Sequence, residues 1–311
     1  MSQGSPVRIV SLLPSITEAV AALGAEDELV GVTHECDYPA SVRGKTVVTS
    51  SPLSEPELSS SQIDTRVQER FEQETSLYTL RAEVLAELRP DVVFTQRLCD
   101  VCAVSYSQVE RVISQLKPVP RLISLEPTRL GEMLSDLRTI GSALDRTDQA
   151  EVLIAKLNQR IEQVKQQAAQ AKTRPRTFCL EWLEPIFVSG QWMPELVELA
   201  GGTWYGPGLG EPSHMMSWER VREFDPEVLV ILPCGFEIPR TLQEMQLLTE
   251  RPGWSNLSAV RKGRVYVTDG NAYFNRPGPR LVESLEILAE LLHPEMFAGL
   301  APTESFQSWL Q

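Results

Sequence analysis

The sequence lacks the features that most directly identify a class of protein. It has no run of about 18 apolar residues, so no membrane-spanning helix is predicted. It also has no Gly-x-Gly-x-x-Gly turn, P-loop, Gly-x-Ser-x-Gly elbow or His-Glu-x-x-His pair. Basic charge is scarce, with 29 Lys and Arg against 42 Asp and Glu. This balance argues against nucleic acid or an anionic membrane surface as the partner.

The parts of a secretory signal are missing as well. The first residues show no basic stretch, no apolar core and no small-residue cleavage site before the first apolar strand pattern. The five cysteines are odd in number and spread over 311 residues, which does not indicate a disulfide framework. These observations predict a cytoplasmic protein with reduced thiols, or a periplasmic one if a signal has been removed.

What the sequence does contain is an alternation of strands and helices. Short apolar runs that predict buried strands lie at 8–12, 29–32, 46–48, 92–95, 121–125, 177–180, 228–232 and 265–268. Helical patterns separate most of them, and this order is typical of parallel sheets covered on both faces. The stretch LRPDVVF at 88–94 is similar to FDPEVLV at 224–230. The sequence therefore predicts an α/β fold with two similar, Rossmann-like lobes.

A long amphipathic helix is predicted between the two lobes. Asp148 followed by Glu151 is a capping box, as are Ser15 and Glu18 earlier in the chain. From 148 to about 171 there is no Pro or Gly, and one helical stripe is apolar: Leu153, Leu157, Ile161, Val164 and Ala168. We predict an N-terminal α/β lobe over 1–128, a helical bridge over 129–172 that includes this backbone helix, and a C-terminal α/β lobe over 173–311.

An ordered set of short motifs resembles one family over nearly the whole chain. The motifs are IVSLLPSITE at 9–18, GVT at 31–33, DYP at 37–39, LRPDVV at 88–93, ELAGG at 198–202, KGRVY at 262–266 and PGPR at 277–280. They resemble the substrate-binding proteins of cobalamin and iron-siderophore ABC importers, with the cobalamin-binding branch the most similar. The resemblance implies a ligand cleft between two lobes joined by a rigid helix. It also implies docking carboxylates for the transporter membrane subunit, at Glu83 and Glu219.

Candidate ligand contacts follow the predicted strands, because ligands of parallel α/β sheets bind beyond the carboxyl ends of the strands. Aromatic side chains there suit the walls of a flat metal chelate such as cobalamin or another corrinoid. The predicted ring contacts are Trp182, Trp192, Tyr273 and Phe274, and the predicted polar contacts are His34, Glu35, Glu184, His214 and Arg276. The main prediction is a binding protein, not an enzyme, for such a small-molecule metal chelate.

The cysteines leave two alternatives open. Cys99 and Cys102 have the spacing of zinc ligands, and His34 and Cys36 follow a neighbouring strand, so the four could bind zinc directly. They could equally be separate buried residues. A Cys-x-x-Cys pair before a helix can also have a lowered thiol pKa, which would suit a thiol-dependent enzyme on a binding-protein fold.

Overall fold

A computed structural model of the chain describes residues 6–51, 58–73, 77–97 and 103–309. Its contacts divide the chain into two compact units. Unit 1 consists of Met1–Leu58, Thr65–Pro127 and Glu132–Ile154, and unit 2 of Ser59–Asp64, Thr128–Gly131 and Ala155–Gln311. Each unit is built around its own sheet.

The first half of the chain alternates strands and helices as predicted. In order, its elements are β1 (Ile9–Ser11), α1 (Pro14–Ala22), β2 (Leu29–Val32), β3 (Thr46–Val47), β4 (Thr49–Ser50), α2 (Ser60–Glu72), β5 (Thr79–Leu80), α3 (Ala82–Leu88), β6 (Val92–Thr95), α4 (Tyr106–Ile113), β7 (Arg121–Ser124) and α5 (Leu130–Ala143). Five of the described strands form a parallel sheet in the order β3-β2-β1-β6-β7. β4 and β5 pair separately, in antiparallel orientation.

The second half begins with the long helix and builds a second sheet. Its elements are α6 (Thr147–Ala168), β8 (Arg176–Trp182), β9 (Phe187–Val188), α7 (Met193–Leu199), β10 (Thr203–Trp204), β11 (His214–Met215), α8 (Trp218–Phe224), β12 (Val228–Ile231), α9 (Ile238–Gln243), α10 (Gln246–Thr249), α11 (Ser258–Arg261), β13 (Val265–Thr268), α12 (Leu281–Leu292), α13 (Pro294–Phe297) and β14 (Phe306–Ser308). Among these strands, β10, β8, β12 and β13 are parallel, whereas β9, β11 and β14 join at the sides in antiparallel orientation.

The similarity between 88–94 and 224–230 corresponds to a repeated local structure. Helices α3 and α8 each have seven residues, and each ends at a left-handed residue, Arg89 or Asp225, before a proline and a fully buried strand. The backbone N–H of Arg8 donates to the Asp91 carboxylate at 2.8 Å. The backbone N–H of Arg176 donates in the same way to Glu227, the counterpart of Asp91.

Two further bonds complete the repeat. Nε of Arg8 donates to the carbonyl oxygen of Leu88 at 2.8 Å, and Nε of Arg176 donates to that of Phe224 at 3.1 Å. In both units, one arginine therefore satisfies a carbonyl left free at the end of a helix. The prediction of two similar lobes is confirmed at this level of detail.

The long helix α6 has 22 residues, which corresponds to a length of about 33 Å. Its residues up to Ile154 belong to unit 1 and those from Ala155 to unit 2. Within unit 2, Arg160 forms two hydrogen bonds with the buried Glu286 of α12, at 2.6 and 2.8 Å. Ile161 and Val164 are buried, in agreement with the predicted apolar stripe.

The structure corrects several predicted helix boundaries. α1 begins at Pro14 with Leu13 as its N-cap and no side-chain cap, so Ser15 is not the cap. A proline at the first helical position has the required φ and no N–H to satisfy, which makes a capping side chain less necessary. α6 begins at Thr147, so Asp148 lies in its first turn, where a carboxylate favours the helix dipole. The helix predicted after the Cys-x-x-Cys pair is α4, which begins only at Tyr106.

Candidate functional site

The carboxyl edge of the unit 1 sheet carries a polar cluster after β2. Nδ1 of His34 lies 2.8 Å from Oγ1 of Thr49, and the backbone N–H of His34 donates to the same oxygen at 3.1 Å. The hydroxyl of Tyr78 donates to Glu35 Oε1 at 3.2 Å, and the rings of Tyr78 and His34 are 5.8 Å apart. The two predicted polar residues of this unit therefore lie side by side, each with a fixed partner.

The surroundings of His34 favour the neutral form of its imidazole. Burial, followed by the positive charge of Arg81, lowers the pKa of His34 below its ordinary value. Nε2 of the ring is buried, and among the described residues it has no hydrogen-bond partner. Oγ1 of Thr95, at the carboxyl end of β6, is likewise buried without a described partner. Unsatisfied polar atoms at one edge of a sheet are typical of a surface that binds a polar ligand.

The predicted metal site gains no support. Cys36 is buried, and its Sγ lies 3.1 Å from the hydroxyl of Thr17 and 3.5 Å from that of Thr33. Cys99 and Cys102 lie outside the described residues. In the part of the chain that the structure describes, no group of three or more His, Cys, Asp or Glu side chains could hold a metal ion.

The carboxyl edge of the unit 2 sheet is lined by aromatic and exposed side chains. The half-buried Trp182, at the end of β8, contacts Phe236 with ring centroids 5.2 Å apart. The guanidinium of Arg240 lies 4.5 Å from the centre of the Phe236 ring. Cys234, in the same loop, has an exposed thiol. This edge therefore combines a ring surface with a cation. Among these residues, the sequence predicted only Trp182 as a ligand contact.

The loop after β13 is fixed by a network of short hydrogen bonds. Asp269 Oδ1 accepts the backbone N–H groups of Asn271 at 3.0 Å and Ala272 at 2.8 Å. Nη2 of Arg276 donates to Asn271 Oδ1 at 2.8 Å. A Cβ on Gly270 would lie 2.1 Å from the carbonyl oxygen of Pro233, so only glycine allows this loop to pack against the loop after β12. Arg276 is thus held at the carboxyl edge of the sheet.

The predicted ring contacts differ in exposure. Tyr273 is half-buried, and the guanidinium of Arg280 lies 5.4 Å from the centre of its ring. Trp192 and Phe274 are only 5% and 1% exposed, and Nε1 of Trp192 donates to the carbonyl oxygen of Phe274 at 2.7 Å. Trp192 and Phe274 are therefore buried beneath the surface and stabilise the loop after β13. Trp182 and Tyr273 are more accessible to solvent.

Sequence reasoning missed Glu181, the residue before Trp182 in β8. Its Oε2 accepts a hydrogen bond from Ser213 at 2.8 Å, and Ser213 in turn accepts the backbone N–H of Gly190 at 3.0 Å. Burial raises the pKa of the Glu181 carboxyl, and hydrogen bonds from Ser213 and Ser189 oppose part of that rise. Glu181 directly follows the predicted strand 177–180, and its position at a strand end was the only signal in the sequence.

The remaining predicted residues of unit 2 lie in different surroundings. Glu184 forms an ion pair with Arg251, which occupies its carboxylate. His214 is exposed in β11, where it pairs with Val188 of β9.

The two predicted docking carboxylates occupy equivalent places in the repeat. Glu83 is the second residue of α3, and Glu219 is the second residue of α8. Both are exposed and lie in the first turn of their helix. Each carboxylate is therefore presented outward at the start of a short helix that precedes a buried strand.

The chain matches one family of known proteins over most of its length. The profile of the family described as periplasmic binding protein matches residues 9–272. A protein of Bacillus subtilis, named an uncharacterized ABC transporter substrate-binding lipoprotein (YvrC), is 24% identical over 300 residues, covering 94% of this chain and 82% of its own length. The vitamin B12-binding protein of Photorhabdus laumondii is 24% identical, with 93% of this chain and 89% of its own length covered.

Solved structures show the same fold. A periplasmic heme-binding protein from Pseudomonas aeruginosa superposes with a TM-score of 0.70 at 21% identity, covering 94% of both chains. The periplasmic vitamin B12-binding protein BtuF of Vibrio cholerae superposes with a TM-score of 0.66 at 20% identity, covering 92% of this chain and 96% of its own. At such identities these structures establish the fold and not the ligand.

The relatives do not support the predicted cytoplasmic location, because their names describe periplasmic proteins or a lipoprotein. Among the described helices, none combines the length and apolar character needed to cross a membrane. The names also describe binding proteins, which agrees with a binding function.

Proposed function

The chain belongs to the periplasmic binding protein family, and on that premise we propose that it is the substrate-binding protein of an ABC importer. Its ligand is a corrinoid, such as cobalamin, or a related metal chelate. The carboxyl edge of each sheet, considered by itself, carries groups that suit such a ligand. The observation that carries this proposal is the family match over residues 9–272, together with relatives named for vitamin B12 and heme.

The chemistry of the two edges supports a large flat ligand. Trp182, Phe236 and Tyr273 supply aromatic surface in unit 2, and planar macrocycles bind well to such surface. His34 and Glu35 supply polar groups in unit 1. Aromatic surface and a few polar groups are the usual components of small-molecule sites.

Calorimetric titration with cyanocobalamin tests the ligand class. We expect a dissociation constant of about 1 μM or tighter, which corresponds to about −8 kcal/mol. The double variant Trp182→Ala/Tyr273→Ala removes two ring contacts, each worth about 0.5–1.5 kcal/mol beyond its buried area, and so weakens binding at least tenfold.

Tyr266→Ala is the matched control, because Tyr266 lies within β13 and packs edge-on against Phe306. It removes an aromatic ring away from the strand ends and leaves affinity unchanged. Full retention of affinity by a folded double variant would refute the ring contacts. Failure of both cyanocobalamin and hemin to bind would refute the ligand class.

Glu83 and Glu219 are proposed to contact basic residues of the membrane subunit. Their equivalent, exposed positions in the repeat support this role. Glu83→Arg or Glu219→Arg is expected to weaken binding to the permease in nanodiscs by at least tenfold, while affinity for the ligand stays the same. Glu223→Arg, another exposed position of α8, is the control. An unchanged permease affinity in both test variants would contradict the docking role.

A further inference from the structure

The tautomer of His34 follows from the hydrogen bonds of Thr49. Thr49 is 1% exposed, and its Oγ1 already accepts the backbone N–H of His34. Within the described residues, the only acceptor for the Thr49 hydroxyl proton is Nδ1 of the imidazole, 2.8 Å away. A buried hydroxyl donates wherever an acceptor is available. Thr49 therefore donates to Nδ1, and the single proton of the neutral ring is on Nε2.

A donor and an acceptor are consequently presented next to each other. The Nε2–H of His34 is buried and has no described acceptor. Glu35 Oε1 lies 4.0 Å from this nitrogen, which is beyond hydrogen-bond distance. The Glu35 side chain is 40% exposed, so its carboxylate is accessible from solution. A carboxylate has about four acceptor positions and can accept several hydrogen bonds at once, of which the bond from Tyr78 is one.

We propose that His34 and Glu35 together bind a carboxamide on the rim of the ligand, and so select an amide-bearing metal chelate over a carboxylate-bearing one. The amide C=O accepts from Nε2–H of His34, and the amide NH₂ donates to the carboxylate of Glu35. This inference rests on the proposed function, because it presumes that a metal chelate binds at this edge.

The same pair of residues disfavours a carboxylate. A carboxylate could accept from His34, but it has no proton to donate to Glu35 and would place two negative charges together. Arg81 is near enough to His34 to offer a compensating charge, but its side chain is exposed, where ion pairs contribute little. Corrinoids such as cobalamin carry amides around the ring, whereas haem carries two propionates. The anchor therefore favours the corrinoid.

Two ligands with the same corrin ring and different peripheral groups measure the contribution of the peripheral groups to binding. The probes are cyanocobalamin and a corrinoid whose peripheral amides have been hydrolysed to carboxylic acids, titrated under identical conditions. We expect the wild-type protein to bind the amide form at least tenfold more tightly. Glu35→Gln keeps an acceptor and adds a donor, so it reduces this preference at least tenfold, mainly by tighter binding of the acid form. Glu87→Gln, an exposed carboxylate of α3, leaves the preference unchanged.

Nitrogen NMR of the imidazole checks the tautomer without any ligand. The expected spectrum shows a protonated Nε2 in the wild type and a mixture of tautomers in Thr49→Val, which removes the hydroxyl donor.

The titration and the NMR spectrum distinguish the amide anchor from the proposed function. Equal binding of the two corrinoids by the wild type, or a preference for the acid form, overturns the amide anchor and leaves the proposed function standing. Binding of neither corrinoid overturns both. A wild-type ring protonated at Nδ1 overturns the assignment of His34 as the donor.

Discussion

Asp136 of α5 gives the protein a stability that depends on pH. Burial, then the negative charges of Glu132 and Glu126, raise the pKa of Asp136 from 3.8 to about 7. In the unfolded chain the same carboxyl ionises near its ordinary value. Ionisation therefore opposes folding, and replacing the carboxyl with an amide of the same shape removes that opposition.

The sign and size of the effect follow from linkage. The folded protein binds the Asp136 proton more tightly than the unfolded chain does, so unfolding free energy is lost as pH rises from about 4 to about 7. The difference between the two pKa values corresponds to at most about 4 kcal/mol. Because the side chain is only partly buried, we expect about 1–2 kcal/mol. Asp136→Asn should recover this amount at pH 8 and nothing at pH 4.

Differential scanning calorimetry from pH 4 to pH 8.5 measures the prediction. For a unit of this size, the expected rise in melting temperature of Asp136→Asn over wild type at pH 8 is about 2–8 °C. Glu132→Gln should produce part of the same rise, because it removes one of the charges that disfavour ionisation. Glu87→Gln serves as the exposed control and should have no effect. A difference between Asp136→Asn and wild type that is the same at pH 4 and pH 8 would refute the reasoning.

Two further predictions concern unit 2 and the thiols. A Cβ on Gly190 would lie 2.4 Å from a backbone oxygen, so Gly190→Ala should lower the free energy of unfolding by about 1–3 kcal/mol. Gly131 in α5 has open space around it, so Gly131→Ala should be neutral or stabilising. Chemical denaturation measures both variants, and equal effects would contradict the close contact at Gly190. The buried Cys36 and Cys179 should resist alkylation by iodoacetamide in the native protein, whereas the exposed Cys234 should react. Burial also raises the pKa of the Cys179 thiol, which disfavours the reactive thiolate. Mass spectrometry follows the labelling, and rapid labelling of Cys179 would contradict its buried position.

The strands could be predicted from the sequence because burial on both faces leaves a continuous apolar run. The patterns at 92–95, 228–232 and 265–268 correspond to β6, β12 and β13 with errors of at most one residue. Helix starts were less predictable. A capping box is a local signal. With Ser15 as N-cap, α1 would begin at Ile16, whereas the N-cap is Leu13 and the helix begins two residues earlier, at Pro14.

The candidate site was only partly predictable for a different reason. The alternation of strands and helices predicts parallel sheets, whose ligands bind beyond the carboxyl ends of the strands. His34, Glu35, Trp182 and Arg276 could therefore be placed near strand ends from the sequence. The partners of these residues come from distant segments: Thr49 holds His34 across 15 residues, and no sequence pattern marks such a pair.

The two units share their local fold but differ in the side chains of the loops at the strand ends. The helix, left-handed turn and buried strand recur in both units with the same arginine contacts, because they satisfy the same free backbone groups. The loops beyond the strands are under no such constraint. They carry a neutral imidazole beside a carboxylate in one unit, and aromatic rings with arginines in the other. The side chains of these loops can therefore differ between proteins while the repeated fold stays the same.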